Sequence, residues 1–226
     1  DIGSLGSGNE NRSKIALETL QSRKFFTDYL YDHMLVNLMA VDDWDQENNQ
    51  LVIDEKIYDS QKKQWISGDN SLGKPSLQKA YKKFEDIFDV YEDKLTGFIS
   101  ISVEHYSPNI AKSWVDLIVY SINESMRQAD INKSEKSLNF LMDKLSRSNQ
   151  VTMNNVFSNL IEEQTKIRML ADIAEDYVFV TIDPAIASET REKPKRTIIV
   201  VSSSLIAGFM ITLYILIREF YFRRKD

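Results

Sequence analysis

Residues 109–183 form the longest stretch of the chain without glycine or proline, NIAKSWVDLIVYSINESMRQADINKSEKSLNFLMDKLSRSNQVTMNNVFSNLIEEQTKIRMLADIAEDYVFVTID. Apolar side chains recur in it at three- and four-residue spacing, which is typical of helices. In the first half these residues are Trp114, Leu117, Ile118, Ile122, Met126, Leu138, Leu141, Met142 and Leu145. In the second half they are Met153, Val156, Phe157, Leu160, Ile167, Leu170 and Ile173. The pattern predicts long helices through most of this stretch.

The length of the stretch predicts that the chain reverses within it. One unbroken helix over residues 109–174 would be about 100 Å long. Alternating β-branched and polar residues favour a strand near 96–105, and a second alternation favours a strand at 177–182. If the two strands share one sheet, the chain must come back to it. We therefore expect a long helical hairpin over 109–175, with its turn in the polar residues near 146–155.

The composition agrees with a mostly helical protein. The chain has 226 residues but only 7 Gly and 4 Pro, few turn residues for a sandwich or barrel of short strands. It has no Cys, which excludes disulfides, thiolate metal sites and cysteine nucleophiles. Helical spacing also covers residues 13–39 and 76–91. The predicted fold class is α+β and mostly helical.

Residues 197–217, TIIVVSSSLIAGFMITLYILI, contain no charged side chain. A helix of this length extends about 31 Å, the thickness of the hydrocarbon core of a bilayer. Basic residues flank both ends, so we expect a C-terminal transmembrane helix in preference to a buried core helix. It is followed by a short tail at 218–226 and preceded by a connector at 191–196. The residues assigned to the connection with the membrane are Pro184, Pro194, Lys195 and Arg196.

Small residues follow one line of this predicted span. Ser204, Gly208 and Thr212 lie at four-residue spacing, and small side chains let helix backbones approach closely in membranes. Such residues are also common in membrane helices for no specific reason. We prefer the interpretation that these three residues pack against another membrane helix.

Charge divides the chain into two parts. Residues 1–190 carry 20 Lys and Arg against 31 Asp and Glu, whereas residues 191–226 carry 8 against 3. An acidic body lacks the basic face that neutralises phosphates, so no nucleic acid is expected as a partner. Basic residues are equally numerous on the two sides of the predicted span, so the positive-inside rule leaves its orientation open.

Residues capable of acid–base or metal chemistry are scattered through the body. His33 and His105 have no companion at metal-ligand spacing. Two carboxylate clusters could in principle supply a glycosidase pair, but adjacent carboxylates do not converge on one substrate, so exposed polar faces are expected. These clusters are Asp42, Asp43, Asp45 and Glu162, Glu163. No GxSxG, P-loop or GxGxxG motif occurs, so we expect no catalytic residue, no metal site and no cofactor.

Six segments, in order along the chain, resemble the Wzz-type polysaccharide co-polymerases, the O-antigen chain-length determinants of Gram-negative inner membranes. They are KIALETLQSRKFFTDYL (14–30), WD (44–45), KPSLQKAYKKF (74–84), TGFISISVEHYSPNIAKSWVD (96–116), LIEEQTKIRMLADIAEDYVFVTIDPA (160–185) and KPKRTII (193–199). One departure from the family pattern is the absence of a further proline near Ser188. The resemblance covers nearly the whole chain.

This resemblance implies a fold and a function. Residues 1–190 would form a periplasmic co-polymerase domain with a small membrane-proximal α/β base and a long helical trunk, and both termini would be cytoplasmic. A first transmembrane helix would precede Asp1. The protein would form a ring-like homo-oligomer without enzyme activity. It would set the modal length of O-antigen in lipopolysaccharide, meeting a separate O-antigen polymerase and the polysaccharide or its lipid-linked precursor.

Two other functions remain open on the sequence. A capsule or exopolysaccharide export component of the same superfamily would share these features. An extracytoplasmic sensor domain is also compatible with a helical body before a span, although a receptor would need a cytoplasmic signalling module and residues 218–226 are too short for one.

Overall fold

The structure is a computed structural model that describes residues 3–66, 73–147, 150–174, 176–189 and 196–223. The helices are α1 (Gly3–Leu20), α2 (Arg23–Phe25), α3 (Tyr31–Met39), α4 (Leu77–Ile87), α5 (Pro108–Arg147), α6 (Val151–Ile173) and α7 (Arg196–Arg223), and a π-helical turn (Phe26–Leu30) joins α2 to α3. The strands are β1 (Val41–Asp45), β2 (Gln50–Ile53), β3 (Tyr58–Asp59), β4 (Gln64–Trp65), β5 (Phe88–Glu92) and β6 (Ile99–Val103). Many helical residues and a few small sheets confirm the predicted mostly helical α+β class.

The chain divides into two compact units, a body at Asp1–Ala187 and a second unit at Ser188–Asp226. The strands of the body pair only with their neighbours in the chain among the described residues, as the antiparallel hairpins β1–β2, β3–β4 and β5–β6. The described part of the second unit contains α7.

The hydrophobic core of the body lies where α1, the π-helical turn, α3, α4 and the first turns of α5 meet. Phe26 is fully buried, and its ring stacks on that of Phe84 with centroids 4.9 Å apart. The Phe84 ring stacks in turn on Phe88 at the start of β5, also at 4.9 Å. The other buried members are Ala16, Leu20, Phe25, Leu30, Met34, Leu35, Leu38, Ala80, Trp114, Ile118 and Ile122. The N-terminal part of α5 is therefore fixed in the core, and the rest of α5 extends beyond it.

Two consecutive helices occupy the predicted hairpin region. Helix α5 begins at Pro108, whose fixed φ suits the first helical position, and the Ser107 carbonyl accepts the first intrahelical hydrogen bond from Ala111 N–H at 3.1 Å. Helix α5 ends at Arg147 and α6 begins at Val151 and packs against α5. The predicted turn residues near 146–155 include 148–149, which lie outside the described residues.

The β5–β6 hairpin uses part of a segment with helical spacing. That spacing predicts a helix through residue 91, but α4 ends at Ile87 and Phe88–Glu92 forms β5. Phe88 pairs with Val103, and Val90 pairs with Ile101. Strand β6 at Ile99–Val103 lies within the predicted strand range of 96–105.

The predicted strand at 177–182 is wrong, since these residues lie in irregular structure. The physical reason is a buried amide on α5. Asn123 Oδ1 accepts the backbone N–H of Val178 and that of Phe179, both at 2.9 Å. Asn123 Nδ2 donates to the Phe179 carbonyl, also at 2.9 Å. One side chain thus binds three backbone groups, including the N–H groups of two consecutive residues, which point to opposite sides in a regular strand.

Helix α7 contains a segment of 19 residues, Ile198–Leu216, that is long and apolar enough to cross a membrane. None of this segment is buried against protein. Its serine and threonine hydroxyl groups bond within the helix, as Ser202 Oγ does to the Ile198 carbonyl at 2.7 Å. Internal bonding of this kind satisfies polar groups in a medium without water.

Candidate functional site

An exposed row of apolar side chains on α6 is the most distinctive surface of the helix pair. We call it the α6 stripe and define it as Met153, Val156, Leu160, Leu170 and Ile173. The exposed fractions of these residues are 41%, 46%, 40%, 52% and 74%, respectively. The half-buried Ile167 continues the row, and the exposed Glu163 interrupts it. A row of exposed apolar side chains of this kind is typical of interaction sites on soluble domains.

The α6 stripe differs from the face that α6 packs against α5. The less exposed residues of α6 include Phe157, Ile161, Gln164 and the fully buried Ala171, at three- and four-residue spacing. Successive residues are about 100° apart around a helix, so this row lies roughly a quarter turn from the stripe. Helix α6 therefore has one less exposed row, which we assign to the contact with α5, and an adjacent apolar row whose side chains stay 40–74% exposed.

Helix α5 adds exposed apolar surface of its own. Tyr120, Phe140 and Met142 are exposed by 70%, 59% and 54%. The Lys144 ammonium lies 5.3 Å from the centroid of the Phe140 ring, within cation–π range. Tyr120 and Phe140 lie outside the apolar row that helical spacing predicts for α5, whereas Met142 belongs to that row and is exposed nevertheless.

The histidines occupy separate environments. His33 is exposed on α3, whereas His105 follows β6 and lies against the Trp114 ring, with centroids 4.8 Å apart. His105 Nδ1 accepts the Ser107 N–H at 3.0 Å, so Nε2 carries the proton and faces the Asn37 carbonyl at 3.2 Å. Burial lowers the pKa of His105 despite these two bonds. Its contacts are those of a structural residue at the start of α5.

The two carboxylate clusters lie on separate elements, β1 and α6. Asp45 folds back on its own hairpin turn, where it accepts from Asn48 Nδ2 at 2.7 Å and from the Glu47 N–H at 3.0 Å. Hydrogen bonds from the Asn48 side chain and backbone lower the pKa of Asp45. Glu162 and Glu163 are exposed neighbours on α6. Asp42 and Asp43 are exposed on β1. No group of three or more His, Asp or Glu side chains is placed to hold a metal ion in the part of the chain that the structure describes.

The predicted packing residues lie on α7. Ser204 Oγ donates to the Val200 carbonyl at 2.8 Å, and Thr212 Oγ1 donates to the Gly208 carbonyl at 2.9 Å. A Cβ at Gly208 would meet no atom within 4 Å, so space for a partner helix is open there. Packing through this line stays a prediction.

Of the predicted connector residues, Pro184 is in irregular structure and Arg196 begins α7. Pro194 and Lys195 lie outside the described residues. Helical spacing does not mark Asn123 as a functional residue, and its one visible signal in the sequence is an amide directly after Ile122 in the apolar part of α5.

Together these features define a class, a mostly helical α+β body followed by one helix that is apolar enough to span a membrane. No known protein family matches the sequence, and no curated protein matches it either.

Proposed function

We propose that this protein is a non-catalytic, oligomeric scaffold of the bacterial inner membrane that regulates the modal chain length of O-antigen made by a separate membrane polymerase. The observation that carries the proposal is the α6 stripe, an ordered apolar surface in the same chain as a candidate membrane span. The resemblance to the Wzz-type co-polymerases supplies the biological role. In this proposal, α5 and α6 form the helical trunk and the residues around β5–β6 belong to the base.

The α6 stripe supports self-association. A row of half-exposed Met, Val, Leu and Ile side chains gains free energy when it leaves water. A second copy of the chain is the occupant in this proposal. Contacts between different faces of neighbouring protomers close a ring when the rotation between them closes. Lys144 lies beside Phe140, so the exposed surface of α5 carries a positive charge that the residues of the α6 stripe lack. The two surfaces therefore supply two unlike faces for such a contact.

The proposed topology places the body in the periplasm and the C-terminus in the cytoplasm. Helix α7 would then contact the polymerase or a neighbouring membrane helix along Ser204, Gly208 and Thr212. The polysaccharide or its lipid-linked precursor would meet the assembled body.

Deletion of the gene tests the biological role. We expect the surface polysaccharide to persist with a changed length distribution on a gel, restored by the intact gene. An unchanged distribution would refute the proposal. Complete loss of surface polysaccharide would favour the export function instead.

A pair of variants tests the α6 stripe. Leu160→Glu places a charge in the stripe, and Leu95→Glu makes the same change at a leucine that is 96% exposed on the β5–β6 turn. We expect the mass of the detergent-extracted assembly to fall in Leu160→Glu and to stay unchanged in Leu95→Glu. A strictly monomeric unmodified chain, or equal masses in both variants, would contradict a ring built on the stripe.

A further inference from the structure

The chain that follows α6 is held in place by side chains. Between described residues, no backbone–backbone hydrogen bond involves residues 176–187. These residues nevertheless precede α7, so their position determines where the polypeptide leaves the body. We call residues 174–179, without the undescribed residue 175, the return segment.

One face of α5 supplies most of the contacts to the return segment. Asn123, Arg127 and Asp130 lie at positions i, i+4 and i+7, which places them in a row along one side of the helix. Asn123 binds the backbone at Val178 and Phe179 through three hydrogen bonds. Arg127 Nη2 donates to the Ala174 carbonyl at 2.5 Å. The row thus holds the segment at both ends.

The third member of the row joins a separate part of the chain. Tyr177 Oη donates to Asp130 Oδ2 at 2.7 Å. The Arg12 guanidinium on α1 forms an ion pair with the same carboxylate oxygen and also donates to Tyr177 Oη. Its central carbon lies 4.9 Å from the centroid of the Tyr177 ring, within cation–π range. Three segments that are distant in sequence therefore meet at one carboxylate.

The chemistry of this cluster favours a persistent contact. The side chains of Arg12 and Asp130 are 40% and 25% exposed, so water screens their ion pair only in part. Burial and the hydrogen bond to Asp130 raise the pKa of Tyr177 to about 12. The phenol consequently stays protonated and donates to the carboxylate at any pH in which the protein works. A hydrogen bond to an ionised acceptor is stronger than a hydrogen bond between two neutral groups.

We propose that Arg12, Asp130 and Tyr177 form a latch that fastens the chain between α6 and α7 to both α1 and α5. Asn123 sets the register of the fastened segment. Release of the latch removes the ion pair and the hydrogen bond that join this cluster to α1 through Arg12. A second consequence rests on the proposed function: a released latch loosens the segment that follows α6, which broadens the length distribution of the polysaccharide.

Hydrogen–deuterium exchange of the full chain in detergent tests the latch. Tyr177→Phe removes only the hydroxyl, Asp130→Asn removes the charge, and Tyr120→Phe is the matched control at an exposed tyrosine of α5. We expect exchange of the Val178 and Phe179 amides, which donate to Asn123, to accelerate about tenfold in the first two variants, since each variant weakens the adjacent contact with a charged group. Exchange in the control and in the middle of α5 should match the unmodified chain. Unchanged exchange at 178–179 in both latch variants would overturn the latch.

A second measurement separates the latch from general destabilisation. Arg12→Gln, Asp130→Asn and the double variant form a thermodynamic cycle with exchange at 178–179 as the readout. We expect the acceleration in the double variant to be smaller than the product of the two single accelerations, because either change alone already breaks the ion pair. If the acceleration in the double variant equals the product of the two single accelerations, the two residues act independently, and this result would overturn the latch.

An experiment in cells distinguishes failure of the latch from failure of the proposed function. If gene deletion alters polysaccharide length but Tyr177→Phe at normal protein level does not, the link between latch and length fails while the proposed function stands. If gene deletion has no effect, the proposed function fails, and the exchange data still decide the latch.

Discussion

Replacement of Asn123 by alanine is the sharpest test of how the body is held together. Asn123 is only 5% exposed, and its amide makes three hydrogen bonds of 2.9 Å to the backbone of Val178 and Phe179. Each such bond contributes about 0.5–1.5 kcal/mol net, so the sum is about 1.5–4.5 kcal/mol. Val178 and Phe179 are half-buried, and water reaches part of the freed backbone, which favours the lower half of that range. We expect Asn123→Ala to reduce the free energy of unfolding by about 2 kcal/mol.

The measurement is urea unfolding of the full chain at fixed detergent concentration, followed by tryptophan fluorescence. Trp114 is buried in the core of the body, so its emission reports unfolding of that unit. Asn139→Ala is the matched control, since Asn139 is an exposed amide on the same helix. Surface changes of this kind stay within about 0.5 kcal/mol. A loss in Asn123→Ala no larger than that of the control would refute the reasoning, because residues 178–179 would then have another source of hydrogen bonds.

Three further predictions concern the core and its boundaries. Burial lowers the pKa of His105, so the unfolded chain binds a proton near pH 6.5 before the folded chain does. The free energy of unfolding should therefore fall as the pH drops below about 6.5 and level off below the folded pKa, with a smaller fall in His105→Gln. Phe84→Ala should cost about 3–5 kcal/mol in unfolding free energy, because the ring is 1% exposed between two other aromatic rings. Gly73→Ala and Gly97→Ala share a φ near +70°, but only a Cβ at Gly73 meets an atom, the Trp65 carbonyl oxygen at 2.6 Å. Both should lose stability through strain, and Gly73→Ala should lose about 1–3 kcal/mol more by the same measurement.

Each of these predictions has an outcome that contradicts it. For His105, the contradicting result is a free energy of unfolding that falls as much below pH 6.5 in His105→Gln as it does in the unmodified chain. For Phe84, it is a cost no larger than that of Phe140→Ala, which truncates an exposed ring. For the glycine pair, equal losses would show that the contact with Trp65 relaxes without cost.

Features that depend on local pattern could be predicted from the sequence. The proline at position 108 and the helical apolar spacing after it predict α5, and the uncharged run of residues predicts the apolar helix α7. The alternation at 96–105 likewise predicts a strand where β6 lies. In each case the spacing, capping or composition of the segment itself indicates the structure.

Features that depend on a distant partner could not be predicted. Residues 177–182 alternate as a strand does, but Asn123 lies more than 50 positions earlier and takes their backbone groups. Residues 88–91 fit helical spacing, but pairing with β6 extends them as β5. Apolar alternation states which side chains prefer burial, and it carries no information on which backbone groups find a partner.

Which apolar row of α6 packs against α5 could not be predicted from the sequence either. The row that stays exposed, the α6 stripe, also affects how strongly copies of the chain can associate. Helical spacing marks Leu160 and Phe157 as equally apolar, yet only the row containing Phe157 and Ala171 packs on α5, where a small side chain permits close approach. Complete burial of one such side chain contributes about 1.5–3 kcal/mol, so five half-exposed residues offer on the order of 4–8 kcal/mol. Association of free proteins costs about 4–15 kcal/mol in translational and rotational freedom. The free energy that the stripe offers is therefore barely enough to associate chains that are free in solution.

Anchoring by an apolar helix such as α7 confines the chains to one plane and raises their effective concentration, which lowers the cost of association. In the proposed ring, the stripe and the membrane helix are thus complementary: the membrane concentrates the protomers, and the stripe determines how they meet.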